Sequence, residues 1–186
     1  DAASEGRVKS MDLSATKVIA FATHGLVPGD LNGLTQPALA LSAPRSADDI
    51  EDGLLTMGEI LGLKLNADWI VLSACNTASG DGAGAEAASG LGRAFFYAGA
   101  RALLVSNWPV ETSSAKKLTT ELFRSQAADS DMGRAEALRR SMVTMIDDGG
   151  FLNSEGKMVF SYAHPIFWAP FSLIGDGGGG KTNASH

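Results

Sequence analysis

Trp69-Ile70-Val71-Leu72-Ser73-Ala74-Cys75-Asn76-Thr77 decides how this chain of 186 residues is read. A short run of large apolar and β-branched side chains breaks abruptly into small polar ones, and the single cysteine of the chain stands at the break. An unbroken apolar run of this length is the pattern of a strand buried on both faces of a parallel sheet. In open α/β sheets, ligands and reacting groups collect just beyond the carboxyl ends of such strands. Cys75 therefore stands where a nucleophile would stand.

Upstream, Lys17-Val18-Ile19-Ala20-Phe21-Ala22 has the same character and ends in Thr23-His24-Gly25. If these two strands are neighbours in a parallel sheet, His24 and Cys75 come to one edge, within a side chain's length of each other. A thiol beside an imidazole loses its proton more easily, and the thiolate is the competent nucleophile. His24 would then serve as general base and return the proton to a leaving amine. The backbone N–H groups of Gly25 and Cys75 are the natural donors to an oxyanion, and glycine lets the backbone approach a carbonyl closely. One such donor is worth about a hundred- to a thousand-fold in rate. The bland alternatives stand beside this reading. A free cysteine is commonly a small buried hydrophobe, and a lone histidine is commonly a structural residue.

The rest of the chain supplies the frame. Residues 1–11 read as a loose lead-in. Ala38 to Ser42 and Gly53 to Leu55 suggest two arms of a hairpin. Thr56-Met57-Gly58-Glu59 fits a capping box and opens a short helix to about Leu63. Glu86 to Ala98 reads as a helix with small residues that permit close approach to a sheet. Ala100 to Ser106 is a third buried strand, closed by Asn107-Trp108-Pro109. Thr112 to Ala127 and Asp131 to Asp147 are amphipathic helices, the second carrying Ala135, Leu138, Met142 and Met145 at the helical period. A polar, glycine-containing loop follows, and Pro165 to Ile174 is a fourth strand. Strands alternating with helices mean an α/β fold with a mainly parallel sheet covered on both faces. Residues 177–186 read as a flexible Gly-rich tail.

The composition, 45% hydrophobic and 19% charged, is that of an ordinary soluble globular domain. A formal net charge of -6 without any cluster of Lys and Arg argues against direct contact with nucleic acid. One cysteine forms no internal disulfide, so a reducing, cytoplasmic setting is expected. One Cys and three His do not make a standard zinc site, and no metal or other cofactor is expected. No run approaches about 18 continuous apolar residues, so no membrane span is expected.

Two glycine motifs are set aside on structural grounds. Gly175 to Thr182 matches the phosphate-loop pattern, but that pattern works by feeding directly into a helix whose amides cradle phosphate, and no such helix is expected after it within this chain. Gly82, Gly84 and Ala87 fit a dinucleotide fingerprint, yet the following strand ends in Ser106-Asn107 rather than in an acidic residue. A nucleotide-binding domain is thus the weaker function class. Asn183-Ala184-Ser185 fits a glycosylation sequon, with nothing else pointing to secretion.

Several blocks in order resemble the CHAT domain, a caspase-like family often attached to TPR repeats. They are Phe21-Ala22-Thr23-His24-Gly25, Leu72-Ser73-Ala74-Cys75-Asn76-Thr77, Gly90-Leu91-Gly92-Arg93-Ala94-Phe95, the run Gly99 to Val110, Ala135 to Arg140, and His164-Pro165-Ile166-Phe167-Trp168-Ala169-Pro170-Phe171. The resemblance covers about Lys17 to Gly175. It implies a caspase-like three-layer α/β/α sandwich over residues 1–176 and a cysteine endopeptidase with His24 and Cys75 as the dyad. It implies a protein or peptide as substrate and a TPR-type module that gates activity. Caspase-like domains carry a strand and helix ahead of the His strand, and about sixteen residues precede it here. The first strand and helix are therefore expected on a separate N-terminal piece that covers the sheet edge. Relatives that cleave after Arg or Lys often carry Asp two positions before the nucleophile, where this chain has Ser73. Asp81, Glu86 and Trp108 are the candidates for contacting substrate; Glu86 also suits a helix N-terminus electrostatically, and Trp108 also suits a core. A non-catalytic interaction module on the same fold is the alternative class.

Overall fold

The computed structural model describes residues 3–44, 51–72 and 83–178, with the backbone alone over 83–89. The chain divides into two compact units, Asp1–Pro109 and Val110–His186.

The first unit runs α1 (Glu5–Ser10), β1 (Val18–Phe21), β2 (Gly25–Leu26), β3 (Ala38–Ala40), β4 (Leu54–Thr56), α2 (Met57–Leu61), β5 (Trp69–Leu72), α3 (Ala83–Ala98) and β6 (Ala102–Ser106). β1 pairs with β5 and β5 with β6, both in parallel. Every residue of β5 and β6 is buried, which is why their sequences are continuous apolar runs rather than alternations. β1, on the outer side of this trio, buries only Phe21 fully. The core joins Phe21, Ile70, Leu72, Leu103 and Val105 of these strands to Leu91, Ala94 and Phe95 of α3 and Ile60 of α2. The Phe21 and Phe95 rings lie 5.6 Å apart.

A second ladder holds β2, β3 and β4 antiparallel, with Gly25 opposite Leu39 and Ala40 opposite Leu54. The expected hairpin is present, and so is the capping box of α2. The Thr56 hydroxyl accepts from the Glu59 N–H, and the Glu59 carboxylate accepts from the Thr56 N–H at 2.9 Å. The helix ends at Leu61, two residues short of the expected end. The turn from α3 into β6 passes through Gly99 at φ 111°. A Cβ there would meet the Leu65 carbonyl oxygen at 2.2 Å, so only glycine fits.

The second unit runs α4 (Thr112–Ala128), α5 (Arg134–Asp147), β7 (Gly150–Leu152), β8 (Met158–Ser161), a 3-10 turn (Pro165–Phe167) and β9 (Phe171–Gly175). α4 and α5 pack on inward stripes that include Leu118, Leu122, Leu138 and Met145. The segment expected as a polar loop forms the β7–β8 hairpin, with Phe151 opposite Phe160 and a register shift at Leu152. Phe160 stacks on both Phe151 and Phe167. The expected fourth strand starts later than its sequence suggests, at Phe171, because Pro165 to Phe167 turn as a 3-10 segment capped by the His164 ring. Asp176 pairs with the buried Arg134 at 3.1 Å, and the Gly177 carbonyl accepts from the Ala135 N–H at 3.0 Å. The first residue of the Gly-rich tail is therefore tied to α5, while Gly179 to His186 lie outside the described residues.

Residues 1–11 are not the loose lead-in that their polarity suggests. Glu5 to Ser10 form a helix, and Glu5 is 2% exposed.

Candidate active site

Phe21 of β1 stands opposite Leu72 of β5, and Leu72 opposite Val105 of β6. Three residues beyond each of these along the chain come His24, Cys75 and Trp108. With β5 in the middle, the three strands run out in step at one carboxyl edge, the edge at which parallel sheets gather their chemistry.

The backbone at His24 is held from the hairpin. Its carbonyl accepts from the Ala40 N–H at 2.8 Å, and the neighbouring Thr23 hydroxyl donates to the Ala40 carbonyl. The imidazole itself is exposed. Thr23 was not singled out in the sequence; a hydroxyl just before a strand-end His was the available signal. The bond between His24 and Ala40 also fixes the next residue. Hydrogen-bonded and non-bonded pairs alternate along an antiparallel ladder. Gly25, opposite Leu39, is then a non-bonded pair, and its N–H points away from β3. β2 is the outer strand of its ladder, so this N–H faces off the ladder's edge.

Trp108 is 38% exposed just past β6, while Ser106 before it is buried. Cys75, Ser73 and Asp81 lie outside the described residues, as does the Glu86 side chain; the Glu86 backbone belongs to α3. Gly82 of the fingerprint motif and Gly179 to Thr182 of the phosphate-loop motif lie outside them too.

Beside the His24 segment, a cavity of about 330 Å³ is lined by Ala20, Phe21, Ala22 and Thr23 on one side and by Ala40, Leu41, Ser42 and Ala3 on the other. Its walls are mostly small residues, Phe21 and Leu41 apart, and include the hydroxyl residues Thr23 and Ser42. A larger groove of about 430 Å³ belongs to the second unit, along α4 and α5. Both of its carboxylates are engaged, Asp148 by Lys117 and Glu121 by Arg124.

Sequence reading also missed a four-charge knot around α1. Lys9 Nζ lies 3.0 Å from Glu5, 2.6 Å from Glu51 and 2.9 Å from Glu59. Glu5 also accepts from the Gly53 N–H at 3.0 Å. Burial, reinforced by a shared hydrogen bond with Glu51, pushes Glu5 from 4.5 up to about 7. Burial alone would raise Glu59 as well, but the Thr56 N–H and Lys9 hold it down at about 2. Oxygens of the three carboxylates lie within 4.8 Å of one another, a spacing a cation could use. Lys9 supplies that cation. The i,i+4 spacing of Glu5 and Lys9 was the one sequence signal for it.

Among the described residues, no helix is long and apolar enough to cross a membrane. The sequence model of the CHAT domain matches residues 1–176. Tetratricopeptide repeat protein 28 of Mus musculus is 31% identical over 125 residues, 66% of this chain and 4% of that protein. Tetratricopeptide repeat protein 28 of Homo sapiens is 30% identical over 146 residues, 70% of this chain and 5% of that protein. The chain thus spans about a twentieth of the length of these relatives.

Proposed function

The chain belongs to the CHAT domain family, and we propose that it is a cysteine endopeptidase of the caspase-like kind. The observation that carries this reading is the row Phe21–Leu72–Val105, from which His24, Cys75 and Trp108 are equally distant in sequence. In the proposed mechanism, His24 takes the Cys75 thiol proton and the thiolate attacks the scissile carbonyl. The oxyanion is held by the Gly25 and Cys75 N–H groups; the outward direction of the Gly25 N–H supports the first. Collapse of the tetrahedral adduct breaks the C–N bond, and His24 gives its proton to the amine. Water, deprotonated by His24, then hydrolyses the thioester and restores the thiol. No metal or nucleotide enters these steps.

Trp108, Glu86 and Asp81 are the proposed substrate contacts. The exposure of Trp108 at the strand edge supports a subsite wall rather than a core role. Ser73, two positions before Cys75, withdraws the usual support for cleavage after Arg or Lys. The full architecture we propose is the three-layer α/β/α sandwich over residues 1–176, with the protein in the cytoplasm. The first strand and helix of that sandwich are supplied by a further N-terminal piece, for which the outer position of β1 leaves an edge. Gating by a TPR-type module is supported by the tetratricopeptide relatives.

A peptide-library cleavage profile, run beside Cys75→Ala, tests the reading. Cleavage at a defined residue that disappears in Cys75→Ala is expected. Cleavage that persists in the variant takes the nucleophile's role from Cys75, and none in the presence of a TPR-type module returns the chain to the class of non-catalytic interaction modules.

A further inference from the structure

We propose that α1 is a latch on the candidate active site, and that Glu5 is a positioning residue for His24 and Gly25, acting through the β3–β4 hairpin. The proposal rests on the peptidase reading for the importance of His24, but its geometry stands apart from that reading.

The latch grips the hairpin on both arms at the end where the connection between them begins. The Ala3 carbonyl, just before α1, accepts from the Ser42 N–H at 3.0 Å, beyond β3. Glu5 accepts from the Gly53 N–H at 3.0 Å, just before β4. Between those points the arms are bonded to each other, Leu41 N–H to the Gly53 carbonyl at 2.7 Å. Gly53 adopts φ 83°, and a Cβ there would sit 3.0 Å from the Ser42 carbonyl oxygen. The two arms are therefore packed backbone to backbone where α1 holds them. One residue further along β3, Ala40 bonds the His24 carbonyl and receives the Thr23 hydroxyl. A shift of α1 thus reaches the His24–Gly25 segment through two consecutive backbone hydrogen bonds.

The grip is electrostatic and adjustable. Among the described residues, three charged groups face Glu5: Lys9 on its own helix, Glu51 on the segment before β4, and Glu59 on α2. Glu5 is 2% exposed, so its charge is poorly solvated and rests on Lys9 and the Gly53 N–H. Its raised pKa of about 7 brings a change of protonation into the neutral range. Below that value the acid form shares its proton with a neighbouring carboxylate and relieves the crowding of three anions. Above it, Lys9, with the Gly53 N–H beside it, is the described cation that must offset three carboxylates. The latch therefore loosens as pH rises through neutrality.

Amide hydrogen exchange of Gly53 and Ala40, read by NMR on the whole chain on both sides of pH 7, tests this. In the native protein, protection of both amides, corrected for the intrinsic rate, should fall together by several-fold across the Glu5 titration. Glu5→Gln, permanently neutral, should remove that pH dependence. Lys9→Met should lower protection at both amides by about tenfold or more, and Lys9→Arg should restore it. Loss of protection at Gly53 with Ala40 unchanged in Lys9→Met would overturn the proposal, as would an unchanged pH dependence in Glu5→Gln. Because these readings need no turnover, they stand if Cys75 proves inert. Conversely, a peptidase unaffected by Lys9→Met would leave the dyad intact and remove the latch.

Discussion

Phe21 and Leu72 face each other in parallel register, and His24 and Cys75 each follow that pair by three residues along the chain. A slip of one residue would send every side chain of β1 to the opposite face. Burial of Phe21 against Phe95 opposes such a slip, since the alternative would place Ala20 or Ala22 in the core.

Among the described residues of α3, Phe95 meets Phe21 directly. It is fully buried and 5.6 Å from the Phe21 ring. Phe95→Ala should lower unfolding free energy by about 3–5 kcal/mol, seen as a lower denaturant midpoint at unchanged slope. Tyr97, two residues on, is 82% exposed. Tyr97→Ala should change stability by less than about 0.5 kcal/mol. Equal effects would mean that α3 does not face the sheet as described.

Gly99→Ala should be more damaging than the same change at Gly156. Both have positive φ, but a Cβ at Gly99 meets the Leu65 carbonyl oxygen at 2.2 Å and one at Gly156 meets nothing within 4 Å. The strain at Gly156 is about 1 kcal/mol, whereas Gly99→Ala should exceed about 2 kcal/mol because backbone must move. Thermal unfolding of the two variants side by side ranks them.

Glu111 opens α4 by accepting from the N–H groups of Ser113 and Ser114, each at 2.8 Å. Burial would raise this carboxyl, yet the two amides and the Ser114 hydroxyl hold it below its ordinary value. The folded carboxyl is thus the stronger acid. Its contribution is present above the ordinary carboxylate value and is lost as pH falls. Glu111→Ala should cost about 1 kcal/mol near neutral pH and progressively less in acid. A penalty independent of pH would contradict the cap.

The α1 knot predicts a stability maximum in mild acid. Glu5 binds its proton more tightly folded than unfolded, about 7 against 4.5. Its contribution is therefore full below 4.5 and declines as pH rises through 7. Glu59 behaves oppositely, about 2 against 4.5. Its contribution is present above 4.5 and declines as pH falls toward 2. In a series of denaturant melts, Glu5→Gln should flatten the decline on the alkaline side and spare the acid limb. A variant whose profile keeps the native slope between 4.5 and 7 would remove Glu5 from the knot.

Much of this fold is written locally. The buried strands β5 and β6 are continuous apolar runs, Thr56 and Glu59 spell out a capping box, and α5 shows its period in Leu138 and Met145. What escaped is held by partners distant in sequence. α1 is six mostly polar residues, too short to stand alone, and it forms because Glu5 and Lys9 meet Glu51, Gly53 and Glu59. The β7–β8 hairpin was hidden because Gly149, Gly150, Asn153 and Gly156 read as loop, while Phe151 and Phe160 recognise each other only across the turn. At the site, the residue types of His24, Gly25 and Cys75 pointed to chemistry. The register that aligns their strands, and the Ala40 bond that turns the Gly25 N–H outward, come from pairings that no local pattern displays.

The central claim is that His24 acts on Cys75. Labelling of the single cysteine by iodoacetamide, followed by mass spectrometry in the native chain and in His24→Ala, tests it most directly. Stoichiometric labelling near neutral pH that is lost or falls at least about tenfold in His24→Ala is the predicted result. Equal labelling in the two proteins, at the same rate and with the same pH dependence, would contradict it.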